Sequence, residues 1–232
     1  MLPAQGQTVT GHASSPCPAV RSPRVTVQDG RPVVEVRVRM DVDVDGAPNA
    51  YGPPGVRALD IDQHAHALPE SGHPDEIVGY ILQHPGGPPK LQGPHDPYPG
   101  FYISQTAFED KDNPNEDDPR RYVDATKINY VVQGRVARRN GVRIGDFAVV
   151  YSCRTGRTAY AIVGDSGNES GAEGSLALVR ALGYTWIKDG IENSVDNPEI
   201  VIRYLPGSNP NGLFFKTEDA LDHAAEKLGL EQ

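Results

Sequence analysis

Apolar and polar residues alternate most regularly between positions 24 and 45. The sequence RVTVQDGRPVVEVRVRMDVDVDG contains two alternating runs separated by Asp29-Gly30, a pair typical of the tight turn of a β-hairpin. Because successive strand residues point to opposite sides, one face of the second run should be apolar and the other charged. The apolar face would carry Val34, Val36, Val38, Met40, Val42 and Val44, and the charged face Glu35, Arg37, Arg39, Asp41, Asp43 and Asp45. The pattern predicts a hairpin with one buried face.

Apolar runs of strand length recur along the rest of the chain. They predict strands within residues 77–82, 99–108, 128–132, 145–152, 158–163 and 199–205. The spacing becomes helical at residues 174–182, before Gly183, and at 217–228, where Thr217 is a candidate N-cap. Residues 109–121 are predicted to form a solvated acidic loop. With 25 Gly and 21 Pro, the chain is predicted to be mainly β, with long loops and a few peripheral helices.

Domain organisation follows from length and local composition. Residues 1–22 are rich in Ser, Pro, Gly and Ala without periodicity, which predicts a flexible N-terminal extension. All-β barrels of about this size are commonly single units. Residues 23–232 are therefore predicted to form one domain.

A formal charge of −9 predicts a negative surface field. Nucleic acid is a poor partner for such a surface, whereas a cationic ligand would be attracted. No apolar run is long enough to span a membrane, and the first twenty residues lack the basic and apolar regions of a signal peptide. We expect either an internal protein or one whose leader is missing from the sequence. Cys17 and Cys153 could pair in an oxidising compartment, which two cysteines alone do not establish.

The strongest candidates for catalytic residues lie in the segment AYAIVGDSGNESGAEGSLALVRALG. A strand is expected to end at Asp165, and a Gly-rich loop should carry Glu173 to the start of a helix. Two such carboxyls could face one cleft, as glycosidic bond cleavage requires. Glu173 could instead be a favourable charge at a helix N-terminus, and Asp165 could belong to a turn.

Other polar clusters support fewer functions. Asp41, Asp43 and Asp45 begin like a calcium-binding loop, but Gly52 stands where that loop needs a Glu; the three acids could line a groove for cationic sugars or form a solvated strand face. A second cluster, whose spacing fits no familiar metal site, contains Asp60, Asp62, His64 and His66. No metal or other cofactor is expected. No G-x-S-x-G motif supports serine hydrolysis, and Cys153 is expected in the core.

Several motifs occur together in the order found in one enzyme family. MDVDVDG, YISQTAF, RRYVDATKINYVV, VRIGDFAVVY and AYAIVGDSG, followed by the Glu-Gly-Ser helix start, resemble the glycoside hydrolase family 75 chitosanases over residues 36 to 207. The strand and helix unit around Asp165 also resembles the double-psi β-barrels of expansins and lytic transglycosylases. These likenesses imply a six-stranded double-psi-like β-barrel.

The resemblance to the chitosanases implies an endo-acting, inverting hydrolase of β-1,4-glucosamine links. Asp165 and Glu173 match the family's catalytic Asp and Glu, with Asp165 expected as acid and Glu173 as base. Ala172 is inserted before the Glu, so Glu169 is the alternative. The remaining expected substrate-binding residues are Asp41, Asp43, Asp45, Tyr98, Tyr102, Thr106, Asp124, Tyr151 and Ser175, with Phe101 and Trp186 as further stacking candidates.

The expected partner is chitosan or a related cationic polysaccharide, bound by a monomer. The resemblance implies a secreted protein, while a cytoplasmic one stays open. Two other functions also stay open: hydrolysis of peptidoglycan or another amino sugar glycan, and carbohydrate binding without catalysis.

Overall fold

The computed structural model describes residues 23–60, 79–84, 87–188, 191–192 and 194–230. The predicted extension, residues 1–22, lies outside this part, as does Cys17, whose pairing with Cys153 the sequence left open. The strands are β1 (Arg24–Gln28), β2 (Arg31–Asp43), β3 (Tyr130–Gln133), β4 (Phe147–Ser152), β5 (Thr158–Ser166), β6 (Glu173–Ser175), β7 (Ile187–Lys188), β8 (Ile191–Glu192) and β9 (Val195–Tyr204). The helices are α1 (Arg135–Arg139), α2 (Leu176–Ala181) and α3 (Glu218–Lys227).

Six strands form a closed ring in the order β2, β6, β3, β5, β4 and β9. The ring closes because β2 pairs with β6 on one side and with β9 on the other. Two of its pairings, β2 with β6 and β3 with β5, are parallel, and the rest are antiparallel. Strand β1 lies outside the ring and pairs only with β2. The predicted mainly β, six-stranded barrel with a few short helices is confirmed.

The first hairpin forms where the alternation predicts it, but the prediction of one buried face is wrong in part: Glu35, expected on the charged face, is buried between Val34 and Val36, and Val44 packs in the other apolar cluster. Strands β1 and β2 are joined at Asp29 and Gly30, whose φ angles of 49° and 76° suit the tight turn. On β2, Val34 and Met40 are completely buried. The register with β9 shifts between Val38 and Met40, so the strand bends there.

Alternate residues of the barrel wall belong to two apolar clusters on its opposite faces. One cluster contains Val131 and Val163 together with residues of β2, β4, β9 and α2. The other contains Val132 and Ile162 and is covered by α3 through Leu221. Helix α3 begins as its sequence predicts, because the hydroxyl of its N-cap, Thr217, accepts the N–H of Ala220.

Some predicted elements differ in the structure. The strand expected at residues 99–108 is wrong: Tyr102 and Ser104 make only isolated bridges, to Leu91 and Tyr80, because the surrounding Pro and Gly residues interrupt a ladder. Residues 77 and 78 of another predicted strand lie outside the described part. The acidic loop is not fully solvated, since Asp110 is buried and pairs with Lys216 at 2.9 Å.

The short strand β6 was not expected. Glu173 lies on this strand rather than in a loop leading to a helix, and Ser175 is the N-cap of α2. Strand β5 extends to Ser166, beyond its predicted end. In the part of the chain that the structure describes, no helix has the length and apolar character needed to cross a membrane.

Candidate active site

A β-bulge at Gly164 determines where Asp165 points. Val131 of β3 pairs with Val163, but the next residue, Val132, pairs with Asp165. The skipped residue, Gly164, lies against the Tyr130 ring, where a Cβ would come within 2.6 Å of the ring's Cγ. The bulge moves Asp165 from the face occupied by Val163 to the face occupied by Val132.

Glu173 reaches the same face from the other side of β3. Val131 pairs with Gly174 in the antiparallel ladder, which puts Glu173 beside Val132. Asp165 of β5 and Glu173 of β6 thus lie on either side of Val132 of β3, in one row that crosses the three strands. Two inter-strand spacings separate their Cα atoms by about 10 Å. The carboxyls can approach one substrate from two sides.

The Asp165 carboxyl is fixed by two backbone donors in a residue that is only 7% exposed. Its Oδ1 accepts the N–H groups of Ala107, at 2.8 Å, and Ser166, at 2.7 Å. Burial raises the pKa of Asp165 to about 7, although both hydrogen bonds favour the ionised form. This side chain can hold a proton near neutral pH.

Glu173 is less enclosed but has a similar affinity for its proton. Burial, followed by the negative charge of Asp43, raises the pKa of Glu173 to about 7. The polar side chain of Asn168 and the positive charge of Arg39 act in the opposite direction on this pKa.

Both residues line a cavity of about 330 Å³, which we call the acidic cleft. Five carboxyl groups line it, and among its described lining residues there is no Lys or Arg. Its lining also includes the aromatic rings of Tyr51 and Trp186. The complete described lining is Val42, Asp43, Val44, Asp45, Tyr51, Leu59, Asp60, Asp165, Ser166, Gly167, Asn168, Glu173 and Trp186.

Two acids at the end of β2 bring further negative charge to the cleft. Asp43 and Asp45 bring carboxylate oxygens within 4.8 Å of each other and of Asp165. The Tyr51 hydroxyl donates to Asp45, whose pKa is raised well above its ordinary value by burial and by the charges of Asp43 and Asp165. The spacing alone would admit a cation, and we assign none because clustered carboxyls are common without an ion.

Most of the other predicted substrate-binding residues do not belong to the described lining of the acidic cleft. Asp41 is the register partner of Glu173 across β2 and β6, and its carboxylate pairs with Arg39 at 2.6 Å. Asp124 pairs with Lys127 at 2.6 Å. Thr106 and Ser175 are buried and bond to the backbone, which indicates structural roles. Four aromatic residues predicted to stack on sugars also lie outside the described cleft lining: Tyr98, Phe101, Tyr102 and Tyr151. Only Asp43, Asp45 and Trp186 of the expected binding set line the cleft.

Glu169, the alternative to Glu173, lies in an environment that does not suit a catalytic carboxyl. Its exposed carboxylate pairs with Arg135 at 2.7 Å and Arg138 at 2.6 Å, and these partners lower its pKa to about 2. It does not belong to the described lining of the cleft. Asp60 does line the cleft, whereas Asp62, His64 and His66 lie outside the described residues.

The sequence analysis missed Tyr51 and Asn168, which line the cleft together with its acids. Tyr51 follows a turn-rich stretch that gives no periodic signal, and its hydroxyl reaches Asp45 only through the fold. Asn168 follows Asp165 closely in the sequence, so its proximity could have been a signal.

The chain matched no protein-family model and no curated protein.

Proposed function

We propose that this protein is an endo-acting glycoside hydrolase that cleaves β-1,4-glucosamine links of chitosan with inversion. The observation that carries the proposal is the pair Asp165 and Glu173, one buried and one half-buried carboxyl with raised pKa, which line one cleft. A Cα separation of about 10 Å leaves room for the inverting arrangement, in which carboxyls stand roughly 6.5–9.5 Å apart with a water between one of them and the sugar.

Asp165 has the properties of the general acid. It is the more deeply buried of the two, and its Oδ1 is occupied by two N–H donors, which leaves Oδ2 to carry a proton. That proton would pass to the glycosidic oxygen as the bond to the anomeric carbon breaks. Glu173 would take a proton from the water that attacks this carbon from the opposite face.

The charge of the cleft supports a cationic substrate. Each glucosamine unit carries an amine that is protonated in acidic solution, and Asp43 and Asp60 offer carboxyls on the lining of the cleft. Trp186 offers a ring for stacking against a sugar. Peptidoglycan, whose muramic acid and peptide carboxylates are negative, suits this lining less well.

The test compares wild type with Asp165→Asn on soluble chitosan, with release of reducing ends as the readout. The substitution keeps the shape of the side chain and its acceptor oxygen but removes the ionisable group, so we expect a loss of roughly 10²-fold or more. Asp117→Asn is the matched control, because Asp117 is an exposed partner of Lys90 outside the cleft. Equal activity of Asp165→Asn and wild type would reject the assigned acid. A folded wild type that binds chitosan without cleaving it would indicate a carbohydrate-binding barrel.

A further inference from the structure

A short segment lies against the end of β5 and contacts the Asp165 carboxyl through its backbone. The Ala107 N–H donates to Asp165 Oδ1 at 2.8 Å, and the N–H of the next residue, Phe108, donates to the carbonyl of Gly164 at 2.9 Å. We call residues 106–108 the strap. Two consecutive N–H groups thus attach the strap to the bulge residue of β5 and to the acid that follows the bulge.

The hydroxyl of Thr106 holds the first residue of the strap in place. It donates to the carbonyl of Phe108 at 2.8 Å and accepts the N–H of Val123, which is remote in sequence, at 3.0 Å. Thr106 is only 4% exposed, so water does not compete for either bond. Ala107 itself is exposed, and its small side chain contributes little to fixing its own N–H. The position of that N–H therefore depends on the residues on either side.

Packing at both ends leaves the strap little room to move. A Cβ on Gly46 would come within 2.8 Å of the methyl carbon of Thr106. The ring of Phe108 is buried, and a Cβ on Gly145 would come within 2.7 Å of it. Glycine at both positions permits this close approach. Hydrogen bonds and packing thus hold the strap on the same two residues, Thr106 and Phe108.

We propose that Thr106 is a positioning residue for Asp165, which acts by holding the strap so that the Ala107 N–H stays on Asp165 Oδ1. The inference rests on the proposed function, in which Asp165 is the acid. With Oδ1 bound to this N–H and to that of Ser166, the proton can reside on Oδ2, from which the glycosidic oxygen would take it. A displaced strap would let the carboxyl rotate about its last torsion, which is intrinsically soft, and would divide the proton between both oxygens.

The charges around Asp165 make its backbone donors important. None of the charged or titratable side chains that surround it in the described part of the chain is cationic. They are Asp43 of β2, Asp45 after that strand, Tyr130 of β3, Glu173 of β6, and Tyr51 and Asp60 on the lining of the cleft. The Ala107 N–H is one of two donors that lower the pKa of Asp165 against the effect of burial. Loss of this bond should therefore raise that pKa further.

The experiment compares three variants of the full chain. Thr106→Ser and Thr106→Ala both lack the methyl group and differ only in the hydroxyl, whereas Thr106→Val keeps the shape without the hydroxyl. Thr155→Val is the matched control, because the Thr155 hydroxyl also donates to a carbonyl, that of Leu182 at 2.7 Å, and accepts an N–H, that of Arg157 at 3.3 Å. Thr155 does not belong to the described lining of the cleft.

Two NMR signals report on the contact without substrate. The carboxyl ¹³C signal of Asp165, assigned from Asp165→Asn, gives its pKa, and the Ala107 amide proton should shift when the carboxylate that it bonds takes up a proton. We expect the wild-type Ala107 signal to titrate with the pKa of Asp165. In Thr106→Ala and Thr106→Val this titration should become smaller, and the pKa of Asp165 should rise by roughly one unit, the scale of one hydrogen bond to a carboxylate. Thr106→Ser and Thr155→Val should match the wild type.

Three results would overturn the inference. The first, which needs no variant to fold, is a wild-type Ala107 signal that does not titrate with Asp165. The second is a pKa of Asp165 that stays at the wild-type value in folded Thr106→Ala or Thr106→Val. The third is an equal rise of that pKa in Thr106→Ser and Thr106→Ala, since the hydroxyl would then have no part in the effect.

Activity on chitosan separates this inference from the proposed function. In an active enzyme, Thr106→Ala and Thr106→Val should lower kcat by roughly 10-fold or more with little change in KM, and Thr106→Ser should restore it. The basic limb of the pH profile should move to higher pH with the pKa of Asp165, because the acid must stay protonated. A wild type that fails to cleave chitosan rejects the proposed function alone, since the NMR titrations need no substrate. A basic limb that does not follow the measured pKa rejects the positioning role.

Discussion

At the scale of single residues, the raised pKa values of Asp165 and Glu173 are the property most directly linked to chemistry. Both are close to 7, and burial is the first cause of each. An inverting mechanism needs one carboxyl protonated and the other ionised. Two acids that affect each other's ionisation meet this condition in the pH range between their two proton releases.

We expect kcat/KM to follow a bell-shaped pH profile with its maximum near pH 7, because the base is protonated below that range and the acid is ionised above it. The measurement uses soluble glucosamine oligomers between about pH 4 and about pH 9. A maximum near pH 4, where ordinary carboxyls titrate, would contradict the raised values.

Asp165 should also make stability depend on pH. Its folded pKa of about 7 lies above the unfolded value near 4, so its favourable contribution is fully present below pH 4 and is lost as pH rises through 7. The side chain of residue 165 does not titrate in Asp165→Asn. The free energy of unfolding of this variant, relative to that of the wild type, should therefore increase by on the order of 2 kcal/mol between about pH 5 and about pH 8. Urea unfolding at both pH values tests this. The same difference at the two pH values would refute it, and Asp117→Asn should show no such trend.

The sequence was sufficient to identify Asp165 and Glu173 as candidates, but it could not establish their environment. The donors to Asp165 include Ala107, which is remote in sequence, and Asp45 reaches Tyr51 only when its loop is folded. Conversely, Thr106 and Ser175 occur in motifs that suggested substrate contact, and their hydroxyls are used by the backbone instead.

At the scale of elements, the bulge in β5 and the three-residue strand β6 bring the two acids together. The long hairpin and α3 could be predicted because their periodicity extends over many residues. A strand as short as β6 has no period to detect, and its existence depends on pairing with β2 and β3. The bulge has no local signal beyond Gly164 itself.

Gly164→Ala should therefore disturb both the barrel and the cleft. The added Cβ would collide with Tyr130, whose hydroxyl donates to the backbone carbonyl of Asp45 at 3.0 Å. We expect a loss of about 1–3 kcal/mol in the free energy of unfolding, together with reduced activity. Gly93→Ala is the control, because its Cβ would meet only Asp96, at an ordinary 3.6 Å. Equal stability of the two variants in urea would contradict the steric argument.

At the scale of the whole molecule, charge should govern how substrate arrives. The chain has a net charge of −9, and the acidic cleft adds five carboxyls at the point of binding. Such an arrangement attracts a polycation over distances that dissolved salt can screen.

We expect KM for glucosamine oligomers to rise several-fold between about 0.02 M and about 0.5 M salt, as screening shortens the range of attraction. Fully N-acetylated oligomers, which carry no amine charge, serve as the control in competition assays and should bind equally well at both salt concentrations. A KM for glucosamine oligomers that does not change with salt would show that charge has little part in recognition.

The way β2 closes the ring has a consequence for synthesis on the ribosome. Glu35 of β2 pairs with Arg203 of β9, 168 residues later in the chain. Until β9 emerges, the valine-rich face of β2 lacks its partner, and an unpaired apolar strand is prone to associate with other chains. The charged residues that alternate with those valines keep the waiting strand from being apolar on both faces. The same alternation that defines the barrel wall thus protects the nascent chain before a barrel exists.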